Sequence, residues 1–247
     1  MVKGNKYLTV SQNMYNRLAP FYREYSIGRS RYIKAVDRIL RQELTSKRRS
    51  LLDLGTGDGE RIKNALKGHL HKFNKIYLVE NSSNMIKQIK TVPPMEIINK
   101  DFSAKNFSLK EKFDCVTCLW NVLGHIPEKN VLTALTNIKE HLSPTGVAII
   151  DINNRQNIKQ YGWRAVRNFI KDTFCYKFRN GNIDFLLDVH NNKVQASVHL
   201  FSKKEFETLL EKSGLAIQYC HFINYQNGNI EKNSFAGQLC YVLRAKI

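Results

Sequence analysis

From Leu51 onward, short apolar runs alternate with stretches whose apolar positions recur every three to four residues. The runs Leu51–Leu54, Ile76–Val79, Met95–Ile98, Phe113–Leu119 and Gly146–Ile150 predict strands, and their near-continuous hydrophobicity suits strands buried on both faces. Helical spacing over Asn84–Lys90 and Val131–Leu142 fills intervals between them. The alternation predicts an α/β fold, a mostly parallel sheet flanked by helices. Ahead of it, residues 1–49 predict a helical preface in two pieces, the second from Arg31 to Leu44 with Ile33, Val36, Ile39 and Leu40 on one face.

Beyond Asp151 the texture becomes Asn-rich and aromatic. Asn180-Gly181 and Asn191-Asn192 separate Thr173–Arg179, Ile183–His190 and Val194–Phe201, which predicts a three-stranded antiparallel meander. Ser202 with Glu205 forms a capping-box signature, and Gly214 supplies a stop, so a helix is expected between them. Leu215–Ile223 and Gln238–Ala245 close the chain as strands. The parts read as one domain over 1–247: the preface (1–49), a sheet-forming half (50–151), an antiparallel insertion (152–201) and a closing helix with strands (202–247).

The composition, 43% hydrophobic and 24% charged over 247 residues, is that of an ordinary globular chain. No apolar run approaches the roughly 18 residues of a membrane span, and the first residues lack a secretory pattern, so a cytoplasmic protein with reduced thiols is expected. Cys115 and Cys118, two of five cysteines, form a CxxC inside a strand-like run, where residues three apart face opposite sides. That spacing reads as core, and no metal site is expected. Net charge is +18, from 39 Lys and Arg against 21 Asp and Glu, yet the cations are scattered and the densest run is Lys47, Arg48 and Arg49. Such an excess keeps a nucleic-acid partner in view without selecting it.

The chemistry lies in Asp53-Leu54-Gly55-Thr56-Gly57-Asp58-Gly59, where an apolar strand runs into three glycines at alternate positions. Glycine allows a tight turn and close approach of a ligand to the backbone. A phosphate loop lacks its Gly-Lys-Ser/Thr ending here. The dinucleotide spacing is broken by Glu60, an acid that a pyrophosphate would not tolerate well. Glu80 closes the next strand and can accept from both hydroxyls of a ribose. Asp101 and Phe102 follow the third strand, an acid for an exocyclic amine and an aromatic for a purine. Three strand-end acids make a locally negative pocket, suited to a ligand carrying a sulfonium and an ammonium.

In these motifs the chain resembles the class I S-adenosylmethionine-dependent methyltransferases, from about Tyr15 to Ala245. The matching pieces are Asp53-x-Gly55-x-Gly57-x-Gly59, Glu80-x-Ser82-x-x-Met85, Asp101-Phe102, Phe113-Asp114 through Cys118 to His125-Ile126, and Leu142-Ser143-Pro144-x-Gly146. The resemblance implies a Rossmann-like sheet of seven strands with the last antiparallel, and S-adenosyl-L-methionine as cofactor with S-adenosyl-L-homocysteine as product. It also implies that Asp53, Gly55, Thr56, Gly57 and Gly59 hold the methionine part, Glu80 and Asn81 the ribose, and Asp101 and Phe102 the adenine. Met85, Cys118 and Leu119 border that site.

Within the family, Tyr15-x-x-Leu18-Ala19-x-x-Tyr22 and the antiparallel insertion resemble enzymes that methylate amino groups of amino acids or sugars. There the tyrosine lies over the methyl donor and the insertion forms a substrate lid. Arg23 departs from that pattern, which has an acidic residue after the second tyrosine. Trp120-Asn121-Val122-Leu123-Gly124-His125 stands where enzymes methylating adenine or glutamine amides carry Asn/Asp-Pro-Pro-Tyr. Tyr15, Tyr22 and His125 are therefore the candidate catalytic residues, and Trp120, Asn121, Trp163 and Arg164 the candidate acceptor contacts. A small-molecule amine is the expected acceptor; an RNA methyltransferase, a non-catalytic cofactor-binding partner subunit and a dinucleotide oxidoreductase are the alternatives. Monomer and homodimer are both open.

Overall fold

The computed structural model describes residues 10–44, 48–175, 177–189 and 192–246. Three helices lead, α1 (Val10–Leu18), α2 (Tyr22–Ile27) and α3 (Ser30–Glu43), with a 3-10 turn over Ala19–Phe21. Strands and helices then alternate: β1 (Ser50–Leu54), α4 (Glu60–Ala65), β2 (Lys75–Glu80), α5 (Ser83–Ile86), β3 (Met95–Asn99), β4 (Phe113–Cys118), α6 (Glu128–Glu140) and β5 (Leu142–Ile152). The insertion contributes α7 (Ile158–Tyr161), α8 (Trp163–Phe174), β6 (Asn182–Val189) and β7 (Asn192–His199). The chain closes with α9 (Lys203–Ser213), β8 (Leu215–Ile223), the two-residue β9 (Ile230–Glu231) and β10 (Gln238–Ala245).

The main sheet runs β3-β2-β1-β4-β5-β10-β8-β9. Strands β1 to β5 are mutually parallel, and β10 inserts antiparallel between β5 and β8. The seven expected strands are present with an antiparallel last strand, and β9 adds a short edge. Both faces are covered, as an apolar parallel sheet requires. Leu52, Leu54 and Val116 pack with α6 and α9 residues such as Leu135 and Phe206. Leu51, Ile76 and Ile149 pack with Val36 and Leu40 of α3 on the other side. Cys115 and Cys118 fall into opposite clusters, buried and unbonded, as the strand period implies. Strand order reverses between β1 and β4, which opens a crevice at the carboxyl ends of the parallel strands.

Helix α9 begins in the capping box of Ser202 and Glu205 and ends at Gly214, whose φ of 77° is left-handed. Two expectations change. The segment 84–90 holds only the single turn α5, after which Gln88 and Ile89 donate to the carbonyls three residues back, a tighter winding than α. The meander is a two-stranded hairpin: Thr173 and Phe174 belong to α8, and Asn180-Gly181 lies in a 3-10 turn over Phe178–Gly181. Helical spacing won there because Ala165 and Asn168 face inward with Asp172, whose carboxylate takes the Arg155 guanidinium at 2.8 and 2.9 Å. Gly181 serves close approach instead of a hairpin turn, since a Cβ there would stand 2.2 Å from the Leu200 carbonyl oxygen. The Asn191-Asn192 turn falls partly outside the described residues.

The hairpin does not join the main sheet. Val194 and Ala196 of β7 pack on Met14 and Leu18 of α1, so hairpin and preface form a cap. Arg155, fully buried, fastens the cap to the body: it pairs with Asp172 of α8 and Glu205 of α9 and donates to the Leu200 carbonyl. His199 adds a contact to Glu205 at 2.9 Å and to Asn182 at 2.6 Å. Among the described residues, no helix is long and apolar enough to cross a membrane.

Candidate active site

Strand β1 delivers the chain into the glycine turn at the crevice. Gly55, Gly57 and Gly59 have φ of 70°, 64° and 74°, a region that other residues enter only at a cost. At Gly55 a Cβ would also stand 2.5 Å from a Val122 methyl carbon. The turn is held from β2: Gly55 and Thr56 donate to the Val79 carbonyl, and Gly57 donates to Glu80 Oε2 at 2.9 Å. The other Glu80 oxygen accepts from the Asn81 and Ser82 amides. Burial still pushes the Glu80 carboxyl above its usual range, against those three amides. Asp53, likewise raised by burial, accepts from the Thr117 hydroxyl at 2.6 Å. Asp101 folds its own turn by accepting from the Ser103 amide and hydroxyl.

Three hollows meet here. Glu80, Asn81, Asp101 and Phe102 line the first with Gly55 and Gly57. Asp53, Thr56, Asp58 and Arg61 line the second. The third, about 250 Å³, lies between the crevice and the hairpin and includes Asn121, Tyr161 and Phe185 in its wall. Tyr22 and Trp120 border all three, and Tyr15 and His125 border the first and third. These aromatic residues form a partition: Tyr22 lies 5.6 Å from Trp120 and 6.2 Å from Tyr15, which meets His125 edge-on at 5.3 Å. Burial, then Tyr15 and Asp58, hold the Tyr22 phenol well above its ordinary pKa, so it stays a neutral donor. His125 is pushed down to about 4 by burial, against a backbone hydrogen bond to Ser197, and its Nδ1 has no hydrogen-bond partner.

Trp120 and Asn121 both take left-handed backbone, φ 66° and 56°, which costs about 1 to 2 kcal/mol per residue unless the surroundings fix it. Here they do. Asp151 accepts from the Trp120 amide at 2.5 Å, its carbonyl accepts from the Asn121 amide, and Asn121 Oδ1 accepts from the Asn153 amide. Asp151 also takes the Tyr32 hydroxyl at 2.7 Å.

Of the sequence candidates, Met85, Cys118 and Gly59 lie behind these walls without lining them, and Leu119 borders the first and second hollows. Two acceptor candidates lie apart from the three hollows. Trp163 is 75% exposed and Arg164 is exposed, and neither lines the three hollows, because α8 turns Ala165 and Asn168 inward. Gln160 and Tyr161 of the short α7 take that place. Residues not foreseen include Asp151, Arg29 and Arg61. Arg61 stands 3.5 Å from Asp37 and 3.7 Å from Asp151, and its three guanidinium nitrogens lack hydrogen-bond partners. Burial works against its charge, but Asp151 and Asp37 raise its pKa overall. Its position two residues after Gly59 was the available signal. Arg23 finds its partners in the glycine turn, 3.1 Å from Asp58 and 3.4 Å from Glu60.

A methyltransferase domain model matches residues 22–219. The uncharacterized protein MJ1252 of Methanocaldococcus jannaschii is 26% identical over 226 residues, 88% of this chain and 81% of its own. Among solved structures, an S-adenosylmethionine-dependent methyltransferase from Clostridium acetobutylicum superposes with a TM-score of 0.63 at 18% identity, covering 95% of this chain and 100% of that one. The sugar N-methyltransferase KedS8 from Streptoalloteichus superposes with a TM-score of 0.59 at 17% identity, covering 99% and 96%. With the glycine turn and its strand-end acids in place, the chain belongs to the class I S-adenosylmethionine-dependent methyltransferases.

Proposed function

We propose that this enzyme passes a methyl group to a small-molecule acceptor, at an amine nitrogen, held in the hollow beneath the hairpin. The observation that carries the reading is the shared partition: Tyr15, Tyr22, Trp120 and His125 separate a cavity of about 250 Å³ from the acid-lined cofactor pocket. That volume lies below the ~300–1,000 Å³ of ligand pockets for drug-sized molecules and suits a compact metabolite.

The residues fit the cofactor. Arg61, whose three nitrogens make no hydrogen bond beside its ion pairs to Asp37 and Asp151, suits a carboxylate, and Asp53 and Asp58 in the same hollow suit an ammonium. Glu80 and the Asp101-Phe102 pair suit a ribose and an adenine. When bound, S-adenosylmethionine supplies a methyl on a sulfonium, already activated for displacement. The chain then has to place the acceptor in line and keep water out, the entropic and desolvation parts of the barrier. Tyr15 and Tyr22 line the passage between the two cavities and orient the nucleophile. His125 stays neutral at physiological pH, and its Nδ1 lone pair accepts a hydrogen bond from the acceptor, orienting it without taking its proton.

Calorimetric titration with S-adenosylmethionine, S-adenosylhomocysteine and NAD tests the cofactor assignment. Micromolar binding of both adenosyl compounds, lost in Asp53→Ala and Glu80→Ala, is expected. Homocysteine-conjugate release is then followed with amines and with RNA offered separately. Turnover of RNA alone would replace the small-molecule reading.

A further inference from the structure

Helix α8 is mounted the opposite way to a helix that serves a core. Ala165, Asn168 and Asp172, spaced i, i+3 and i+7, form its inward side. That side is held by polar contacts: the Asp172 carboxylate pairs with the buried Arg155 and accepts from the Gln156 side-chain amide, and Asn168 donates to the Arg155 carbonyl. Trp163, Ile170 and Phe174, spaced i, i+7 and i+11, form the opposite side and stand in solvent; Trp163 is 75% and Phe174 84% exposed. None of the three belongs to the apolar clusters of the body. Phe169, also exposed, meets Phe235 edge-on at 5.4 Å and widens the face.

Along one edge of this face run Arg164, Arg167 and Lys171, again spaced i, i+3 and i+7 and all exposed. Asp172, the one acid of the helix, is turned inward. Asp184, across a groove from Arg164 and Arg167, leaves the edge a net cation. Trp and Phe on an outward face beside a basic edge suit a helix lying in a membrane interface, with its rings among the upper acyl chains and its cations at the headgroups. At twelve residues the helix is too short to cross a bilayer.

We propose that α8 is a peripheral anchor that docks this enzyme on an anionic lipid surface. Charge selects the occupant. A second copy would bring the same cations to the face and no acid of the helix to meet them, whereas anionic lipid supplies both an apolar phase and the countercharge, toward which the whole chain, at +18, is drawn. The Asp172–Arg155 pair keeps the face presented outward. Tyr161, in the wall of the hollow beneath the hairpin, stands just before Trp163, so the docked enzyme holds that hollow beside the lipid. The proposal does not depend on which acceptor the hollow takes.

Flotation of the full chain with lipid vesicles tests it. Vesicles of equal parts phosphatidylcholine and phosphatidylserine should carry the protein, phosphatidylcholine alone should bind it at least about tenfold more weakly, and about 1 M salt, which screens charge within ~3 Å, should erase the difference. Arg164→Gln, Arg167→Gln and Lys171→Gln should each weaken binding to the anionic vesicles about fivefold. Trp163→Ser combined with Phe174→Ser should weaken it at least about tenfold. Trp163→Phe should retain binding but lose the blue shift of tryptophan emission that the vesicles cause. These side chains are in solvent, so circular dichroism should find every variant folded. No flotation with the anionic vesicles, or flotation unchanged by the Trp163→Ser, Phe174→Ser pair, would overturn the proposal. A dimer in sedimentation velocity that this pair dissociates, without flotation, would assign the face to a second copy. Retention on RNA that the Gln variants abolish, without flotation, would assign the basic edge to nucleic acid; either result overturns the lipid reading.

Discussion

The floor and the cap of the site are built by opposite means. The floor is a set of strand ends, β1, β2 and the segment after β3, each delivering an acid: Asp53, Glu80 and Asp101. The cap, from α1 and the hairpin, packs through apolar side chains, and the carboxylates of its strand β6, Asp184 and Asp188, are exposed. The difference separates two tasks. Under the proposed function a cationic cofactor is drawn to fixed carboxylates on rigid elements, and the acceptor is selected by the shape and polarity of a separately fastened layer.

The comparison breaks most readily at the fastening. Asp172→Ala leaves the buried Arg155 with Glu205 as its one carboxylate partner, and a loss of about 3 kcal/mol is expected in urea unfolding. If floor and cap are distinct, homocysteine-conjugate affinity changes less than about twofold at temperatures where the variant remains folded.

Glu80→Ala acts on the other side. It removes the acceptor for three backbone amides as well as the proposed ribose contact, so an approximately hundredfold weaker cofactor affinity is expected, about 2.7 kcal/mol. Calorimetry checks it, and undiminished affinity would show that the strand-end acids do not define the floor.

His125 lies on the boundary and reads out pH. Its folded pKa is lowered to about 4 from 6.5, so between those values the unfolded chain binds a proton that the native chain refuses. Stability therefore falls as pH drops through that window and levels off below it. Wild-type protein should lose roughly 2 to 3 kcal/mol more than His125→Phe between pH 7 and 4, by chemical denaturation at matched pH. Identical slopes would mean that the ring is solvated.

The smallest effect belongs to Trp163→Ser. With its ring largely in solvent and outside the three hollows, kcat/KM should change less than about twofold and stability by under about 0.5 kcal/mol. A larger kinetic loss would place α8 in the acceptor layer after all.

The floor was legible in the sequence because its evidence is local: glycines within five residues, and an acid within or shortly after each of the first three apolar runs. Tyr15, Tyr22, Trp120, Asn121 and His125, singled out through motif position, line the hollows. Much of the cap was not. In 158–181 the helical and alternating patterns overlap, and a tertiary ion pair to Arg155 settles α8 over a strand. Arg29, Arg61 and Asp151 acquire their meaning from contacts such as Tyr32 with Asp151, 119 residues apart, which no local period encodes.

Trp120 carries a consequence for ligand exchange. Its ring borders every hollow while Asp151 pins its backbone in a left-handed turn, so it cannot yield to one ligand without presenting a changed wall to the next. Under the proposed function, cofactor and acceptor are thereby expected to be thermodynamically linked through one side chain. Whatever factor a bound acceptor imposes on cofactor affinity, the cofactor must impose on the acceptor, and Trp120→Ala should bring that factor toward one.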